Sequence, residues 1–342
     1  MKIAHLDFGE RPVFLAPMED VSDPPFRRLC KRFGADLLFT EFISSGGLVY
    51  EANDSVQKLD FDESERPIAI QIFGGDIDQV RTAAGIVDET NPDIIDINFG
   101  CPVKKVVCRD GGAGILRNLP KMKRITEEVI AVANRPVTVK TRLGWNDESI
   151  RIVEVASMLE EVGVAALAVH ARTRSQMYKG DARWEWFQTI RKDANLSIPL
   201  VGNGDATTPE KIERMFDETG VDAVMVGRGA IGNPWIFRDA REYMTTGQIP
   251  AKPTWEERIE VVIEHLIGKC EWLGERKGVL EMRRMYGGYF KGFRNASLLR
   301  SLIMEKTERD DVIELLNTFD PGVERPAVPV QRKVVKASLP TA

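Results

Sequence analysis

Short apolar or β-branched runs recur along the chain, each followed by a stretch whose apolar positions return every three or four residues. The runs predict strands at Val13–Leu15, Leu37–Thr40, Ile68–Ile72, Ile94–Ile97, Val137–Thr141, Leu167–His170, Leu200–Val201 and Ala223–Val226. Helices are predicted at Pro24–Phe33, Ile77–Thr90, Pro120–Ala133, Ser149–Val162, Trp184–Arg191 and Pro209–Thr219. Pro24, Pro120 and Pro209 stand near helix starts, where a missing N–H is harmless, and Gly163 and Gly220 stand at stops. Eight such alternations predict an α/β fold, a TIM (β/α)8 barrel. A doubly wound sheet would carry a Gly-rich fingerprint after the first strand, and none is there.

From Trp255 the strand signals stop. EERIEVVIEHLIGKCEWLGE reads as one amphipathic helix, with Ile259, Val262, Ile263, Leu266 and Cys270 at helical spacing. VLEMRRMYGGYFKGF and SLLRSLIMEK read as further helices. The expected plan is a barrel over residues 1–250, a small all-helical domain over 251–320 and a flexible basic tail over 321–342. No apolar run approaches the ~18 residues of a membrane span. The start, MKIAHLDFGERP, has no h-region, so a cytoplasmic protein is expected, and a monomer.

Charge changes the picture through its distribution. The net charge of −5 argues against nucleic acid. Residues 251–342, however, hold 16 Lys+Arg against 14 Asp+Glu, a net of +2, which leaves −7 for the rest. Arg276–Arg300 carries seven basic residues and one acid, Glu281, interleaved with Tyr286, Tyr289, Phe290 and Phe293. Four cysteines in this length do not make a disulfide scaffold. No CxxC pair occurs and the three histidines follow no ligand spacing, so no metal is expected. Cys30 and Cys270 fall on amphipathic helices and read as core.

Barrels of this kind work at the C-terminal ends of their strands. There the chain places Pro17 and Met18 after strand one, Gln71 in strand three, and Asn98 and Cys101 after strand four. Strand five carries Lys140 and Arg142, and strand six His170 and Arg172. Asn203-Gly204-Asp205 and Gly227-Arg228-Gly229 follow the last two strands. Glycine turns there let backbone N–H groups approach an anion, and Arg228 adds a charge, so a ligand with a phosphate tail is implied and FMN fits. Lys140, His170 and Gln71 would meet the polar edge of its ring. Each also has an ordinary reading: a snorkelling lysine, a core histidine, a loop cap. Cys101 is open at this point to disulfide, metal, nucleophilic, acidic and purely structural readings.

APMEDVSDPPFR, QIFGG, DINFGCPVKKV, VTVKTRLGW, HARTRSQMYKGDARW, NGD and GRGAIGNPWIF, in this order, resemble the tRNA-dihydrouridine synthase family over about 310 residues. The resemblance implies a flavoenzyme that uses FMN and NADPH to reduce the C5=C6 bond of selected uridines in tRNA. It maps Pro17, Met18 and Glu19 onto the first FMN-binding stretch and Gln71 and Lys140 onto single FMN contacts. Asn203, Gly204, Asp205, Gly227 and Arg228 match its phosphate loops, His170 the histidine beside the flavin, and Cys101 the catalytic cysteine. A thiol with an ordinary pKa near ~8.5 is mostly protonated at neutral pH and suits the proton donor to C5.

The uracil must leave its stack to react. Asn98, Lys104, Lys105, Arg142, Arg172, Arg174 and Tyr178 are expected to hold RNA at the mouth, and Arg283, Arg284 and Lys291 to hold its backbone in the helical domain. The chain departs from the family's usual pattern at Glu19-Asp20, at Cys108 and Asp110, and at Met285 and Gly288. Rival readings are a flavin barrel acting on a free pyrimidine, of dihydroorotate or dihydropyrimidine dehydrogenase type, a non-catalytic RNA-binding protein, and a flavin-free phosphate-binding lyase.

Overall fold

The computed structural model describes residues 1–322. Eight parallel strands stand side by side in chain order: β1 (Val13–Leu15), β2 (Leu38–Phe39), β3 (Ile68–Phe73), β4 (Ile94–Phe99), β5 (Val137–Arg142), β6 (Ala166–His170), β7 (Leu200–Asn203) and β8 (Ala223–Val226). β8 pairs with β1, and Leu15 N–H to Leu37 O (2.9 Å) with Asp36 N–H to Val13 O (2.9 Å) draws β1 and β2 together at the last seam. A helix follows each strand: α1 (Pro24–Arg32), α2 (Ser45–Val49), α3 (Ile77–Glu89), α4 (Leu119–Val132), α5 (Ile152–Val162), α6 (Glu185–Asp193), α7 (Pro209–Thr219) and α8 (Ile236–Thr246). Their ends are locally encoded. Asp23, Asp76, Asn118 and Thr208 accept backbone N–H bonds at N-caps, and Gly163, Gly220 and Gly247 close C-termini in the left-handed region.

Period-two alternation sorts the strand residues. Val13, Leu15, Ile70, Ile72, Ile95, Ile97, Val137 and Val139 point outward into the layer beneath the helices. Phe14, Ala69, Ala168, Val201 and Met225 fill the bore, with Ile3 and Leu6 of an N-terminal antiparallel pair packed into the same cluster. The remaining inward positions, toward the C-terminal ends, are polar and build the site.

The predicted barrel and trailing helices are present, and several boundaries differ. α2, α8 and the N-terminal pair carry no helical or strand prediction. α9 (Trp255–Leu273) is one helix as read. The helix expected over VLEMRRMYGGYFKGF is broken into α10 (Glu275–Met282) and α11 (Tyr286–Tyr289). Within α11 the backbone packs closely on the turn after β8: a Cβ at Gly288 would lie 1.9 Å from the carbonyl oxygen of Ile231. α12 (Ala296–Met304) and an unpredicted α13 (Arg309–Thr318) complete the helical region. Apart from Pro321 and Gly322, the expected basic tail lies outside the described residues.

The helical region shares one continuous apolar core with the barrel, through Val262, Leu266, Met285 and Tyr289. His265 stacks on Phe26 of α1 at 5.4 Å and bonds Tyr289 Oη (2.8 Å). The Lys269 ammonium, fully buried, lies 2.6 Å from Asp23 Oδ2 and donates to Asp20 O (3.2 Å), and Arg284 pairs with Asp20 (2.8 Å). Tyr286, Tyr289 and Phe290, interleaved with the basic residues of Arg276–Arg300, are core residues, with Tyr286 stacked on Phe290. Among the described residues no helix is long and apolar enough to cross a membrane.

Candidate active site

Strand register lines up the polar inward residues at the barrel mouth. Asn98 of β4 lies beside Lys140 of β5, Arg142 beside His170 of β6, and His170 beside Asn203 of β7. These residues surround a cavity of about 310 Å³. Pro17, Met18 and Glu19 line it after β1, with Gly227 and Arg228 after the neighbouring β8 and Gly204 and Asp205 after β7 next to that, while Cys101 and Tyr178 also line it.

Cys101 is placed by its neighbours. Asn98 Oδ1 accepts the N–H groups of Gly100 (2.9 Å) and Cys101 (2.8 Å). Asn98 Nδ2 donates to Gln71 Oε1 (2.8 Å), Gln71 Nε2 to Asp96 Oδ2 (2.6 Å), and Thr138 Oγ1 to Asp96 Oδ1 (2.5 Å). Arg142 Nε donates to Gly100 O (2.8 Å), and its Nη1 to Thr173 O and Met177 O. Gly112, at φ +51°, lets the chain fold back on Cys101: a Cβ there would lie 2.7 Å from the Cys101 carbonyl oxygen. Gly75 does the same farther along, where a Cβ would meet Arg109 O at 2.1 Å. All four cysteines are free thiols, so Cys101 has no disulfide partner, and it belongs to no group of three metal-ligating side chains among the described residues.

Burial, above all, pushes the Cys101 thiol up from its ordinary value, so it is protonated at neutral pH. Burial and then the Arg142, Lys140, Arg172 and Arg228 charges hold His170 well below its ordinary value, so the ring is neutral. Arg172 Nη1 lies 3.2 Å from His170 Nε2. Guanidinium only donates, so Nε2 accepts and Nδ1 carries the proton. Burial lowers Lys140 to about 8 and raises Asp96 to about 6. Among the described residues no hydrogen bond or ion pair holds the Lys140 ammonium. No internal hydrogen bond takes the backbone N–H groups of Gly204, Asp205, Gly227 or Arg228 either. An unpaired cation at one wall and two glycine turns with free donors at another suit FMN, an anion with a polar ring edge.

The alkaline titration of Lys140 gives a test. Below pH about 8 the ammonium is present, and above it the charge is lost. FMN affinity, followed by flavin fluorescence, should therefore fall as pH rises from 7 to 9, and Lys140→Met should remove that slope. Affinity that is flat over this range in the wild type would take Lys140 out of the flavin contact.

Other predicted site residues fall differently. Gln71 is fully buried and lies beneath the cavity, bonded to Asn98, without lining it. Arg172 is 1% exposed and turned inward to Gly180 O and Asp205 (both 2.6 Å), so it does not reach an RNA phosphate. Arg283 donates to Met304 O and Lys306 O and closes the end of α12. Lys104, Lys105 and Lys291 are exposed, as is Tyr178, which lies beneath the guanidinium of Arg228 at 5.2 Å. Arg174 lies over Trp145 at 4.6 Å, with Arg117 also against that ring at 4.4 Å. Asp96, Phe42 and Trp145 were not singled out from the sequence. Asp96 had a signal, an acid at an inward position of an apolar strand.

A family model described as dihydrouridine synthase matches residues 14–322. The chain is 42% identical over 277 residues to tRNA-dihydrouridine synthase B of Shewanella oneidensis, covering 81% of this chain and 85% of that one. It is 34% identical over 319 residues to tRNA-dihydrouridine synthase B of Pasteurella multocida, covering 93% and 95%. Among solved structures, histamine dehydrogenase from Rhizobium sp. 4-9 superposes with a TM-score of 0.55 at 12% identity, over 78% of this chain and 50% of that one. An old yellow enzyme homologue from Zymomonas mobilis superposes with a TM-score of 0.50 at 15% identity, over 74% and 93%; both likenesses speak to the fold alone. With a family match that runs from β1 through the last helix, and relatives this similar over most of their own length, the chain belongs to the dihydrouridine synthase family.

Proposed function

We propose that the cavity at the barrel mouth reduces uridine in tRNA to dihydrouridine, with FMN as the flavin, NADPH as the reductant and Cys101 as the proton donor. The observation that carries this reading is the neutral, cavity-lining thiol of Cys101 in the same cavity as Lys140, His170 and the two phosphate-type turns. Lys140 and His170 would meet the flavin's polar edge, and the free N–H groups of Gly204, Asp205, Gly227 and Arg228 its phosphate. When bound and reduced by NADPH, FMN would supply hydride to C6 of the uracil.

The chain's own residues do the rest. Saturation at C6 calls for a proton at C5, and the Cys101 Sγ–H gives it. The thiolate left behind is favoured by the Arg142 and Lys140 charges beside it, and it regains its proton from water. Asn98 and Arg142 fix the Cys101 loop, so the donor is positioned before the base arrives. The exposed Lys104, Lys105 and Lys291, with Arg174, are the cations offered to the RNA backbone, while Arg284 is held by Asp20.

The direct test incubates purified protein with NADPH and unmodified tRNA, then digests the RNA and looks for the mass gain of two hydrogens on uridine. Reduction of a free pyrimidine with tRNA untouched would sink the reading. Within the same site, Arg228→Ala removes a charge-assisted contact and should weaken FMN roughly 10-fold or more. Unchanged affinity would move the phosphate elsewhere.

A further inference from the structure

The catalytic cavity adjoins another. Glu19, Phe42 and Val103 line both it and a second cavity of about 600 Å³. The second cavity lies between the ends of β2 and β3, the Cys101 loop and the junction of α9 with α10. Its walls carry half-buried aromatic rings. Phe42 and Phe73 meet edge to face, 5.4 Å between centroids, and Trp272 stands at the end of α9.

Its charges are unevenly matched. Lys58 takes Glu19 and Glu41, Lys269 takes Asp23 and Glu281, and Arg284 takes Asp20. Asp76 caps α3. Lys105, Arg109 and Lys277 are exposed and form no ion pair among the described residues, and of the lining carboxylates Asp54 and Asp76 likewise form none. Aromatic faces beside unpaired cations are what a nucleotide needs, a ring to stack on and charge for its phosphate.

We propose that this second cavity binds a nucleotide flanking the target uridine in the same RNA strand. The inference rests on the function proposed above. Lys105 and Arg109 belong to the loop that carries Cys101, so an occupant of this space lies on the proton-donor side, where the uracil sits. A base drawn into the catalytic cavity brings its neighbours to the rim, and the only lining shared between the two spaces is Glu19, Phe42 and Val103. Stacking is tolerant of base identity, so the site would grip the strand without reading it closely.

The test uses the full chain loaded with FMN and two variants, Trp272→Ala and Lys277→Glu. Lys277 is exposed, so that variant remains informative if loss of Trp272 disturbs folding. KM for tRNA should rise roughly 10-fold in Trp272→Ala, the effect of losing one base–aromatic stack. FMN affinity, and the rate at which NADPH reduces the flavin without RNA, should not change. A trinucleotide with central uridine should bind the wild type more tightly than uridine monophosphate by equilibrium dialysis, and both variants should lose that advantage. Wild-type KM in both variants, or equal binding of the two probes by the wild type, would overturn the proposal. So would slower flavin reduction by NADPH, which would give the cavity to the dinucleotide. A wild type that holds FMN yet leaves tRNA unreduced would fell the functional reading, while the dialysis arm would still decide for or against the cavity.

Discussion

Cys101→Ala is expected to bind FMN and to let NADPH reduce it as the wild type does, because neither step uses the thiol. Reoxidation of the reduced protein by tRNA should slow by roughly two to four orders of magnitude, the usual worth of a positioned general acid. The side chain is 7% exposed and small, so its loss leaves the strands and the glycine turns as they are. Stopped-flow absorbance of the flavin separates the two half-reactions. Cys108→Ala provides the control: this thiol is exposed, follows the short helix Lys104–Val107 and does not line the catalytic cavity, so its removal should be nearly silent. A Cys101→Ala protein that turns over tRNA at the wild-type rate would hand the proton to water or to another group.

Asn98→Ala should come next in size. It removes the acceptor of two buried N–H groups and the donor to Gln71, leaving three groups without their protein partners. Each buried unpaired group costs about 1–3 kcal/mol, so a lower melting temperature is expected. The larger consequence is positional. With the loop free to shift by an ångström, the proton step should slow roughly 100-fold. Asn98→Asp keeps an acceptor for Gly100 and Cys101 and should recover part of that rate. Equal rates in the two variants would mean that the bonds to Gly100 and Cys101 do not position the thiol.

The sequence made much of this visible because strands alternate. In VTVKTR, Val137 and Val139 face outward, and Thr138, Lys140 and Arg142 face the bore, so a lysine out of phase with the valines already reads as a residue at work inside. The limits of that reading are also physical. Gln71 belongs to the same inward row, but β3 runs on to Phe73, which sets Gln71 one layer below the cavity floor. Arg172 follows a strand, as surface arginines often do, yet Gly180 and Asp205 close around it from other loops, and no local pattern announces such a partner. Arg283 sits in a basic run and is claimed by the end of α12, a long-range contact. The aromatics of that run alternate with arginines in a way that suits RNA, and equally suits a helical region packed on a barrel. Burial decides for the core at three of the four, and Phe293 is half-buried against Trp255.

Gly288 and Lys269 have a bearing on inheritance. Gly288 lies against the backbone of Ile231, which lines the catalytic cavity, and Lys269 grips the loop that carries Met18 and Glu19 on its other side. Selection acting on the helices is therefore felt at the walls of the cavity at the barrel mouth. A bulky residue at position 288 is tolerable only with a rearranged turn after β8, and loss of the ammonium at 269 only with a new partner for the buried Asp23. Recombining the barrel of one relative with the helices of another joins parts that were fitted to different neighbours. Lineages should exchange the two regions only together with the turns after β1 and β8.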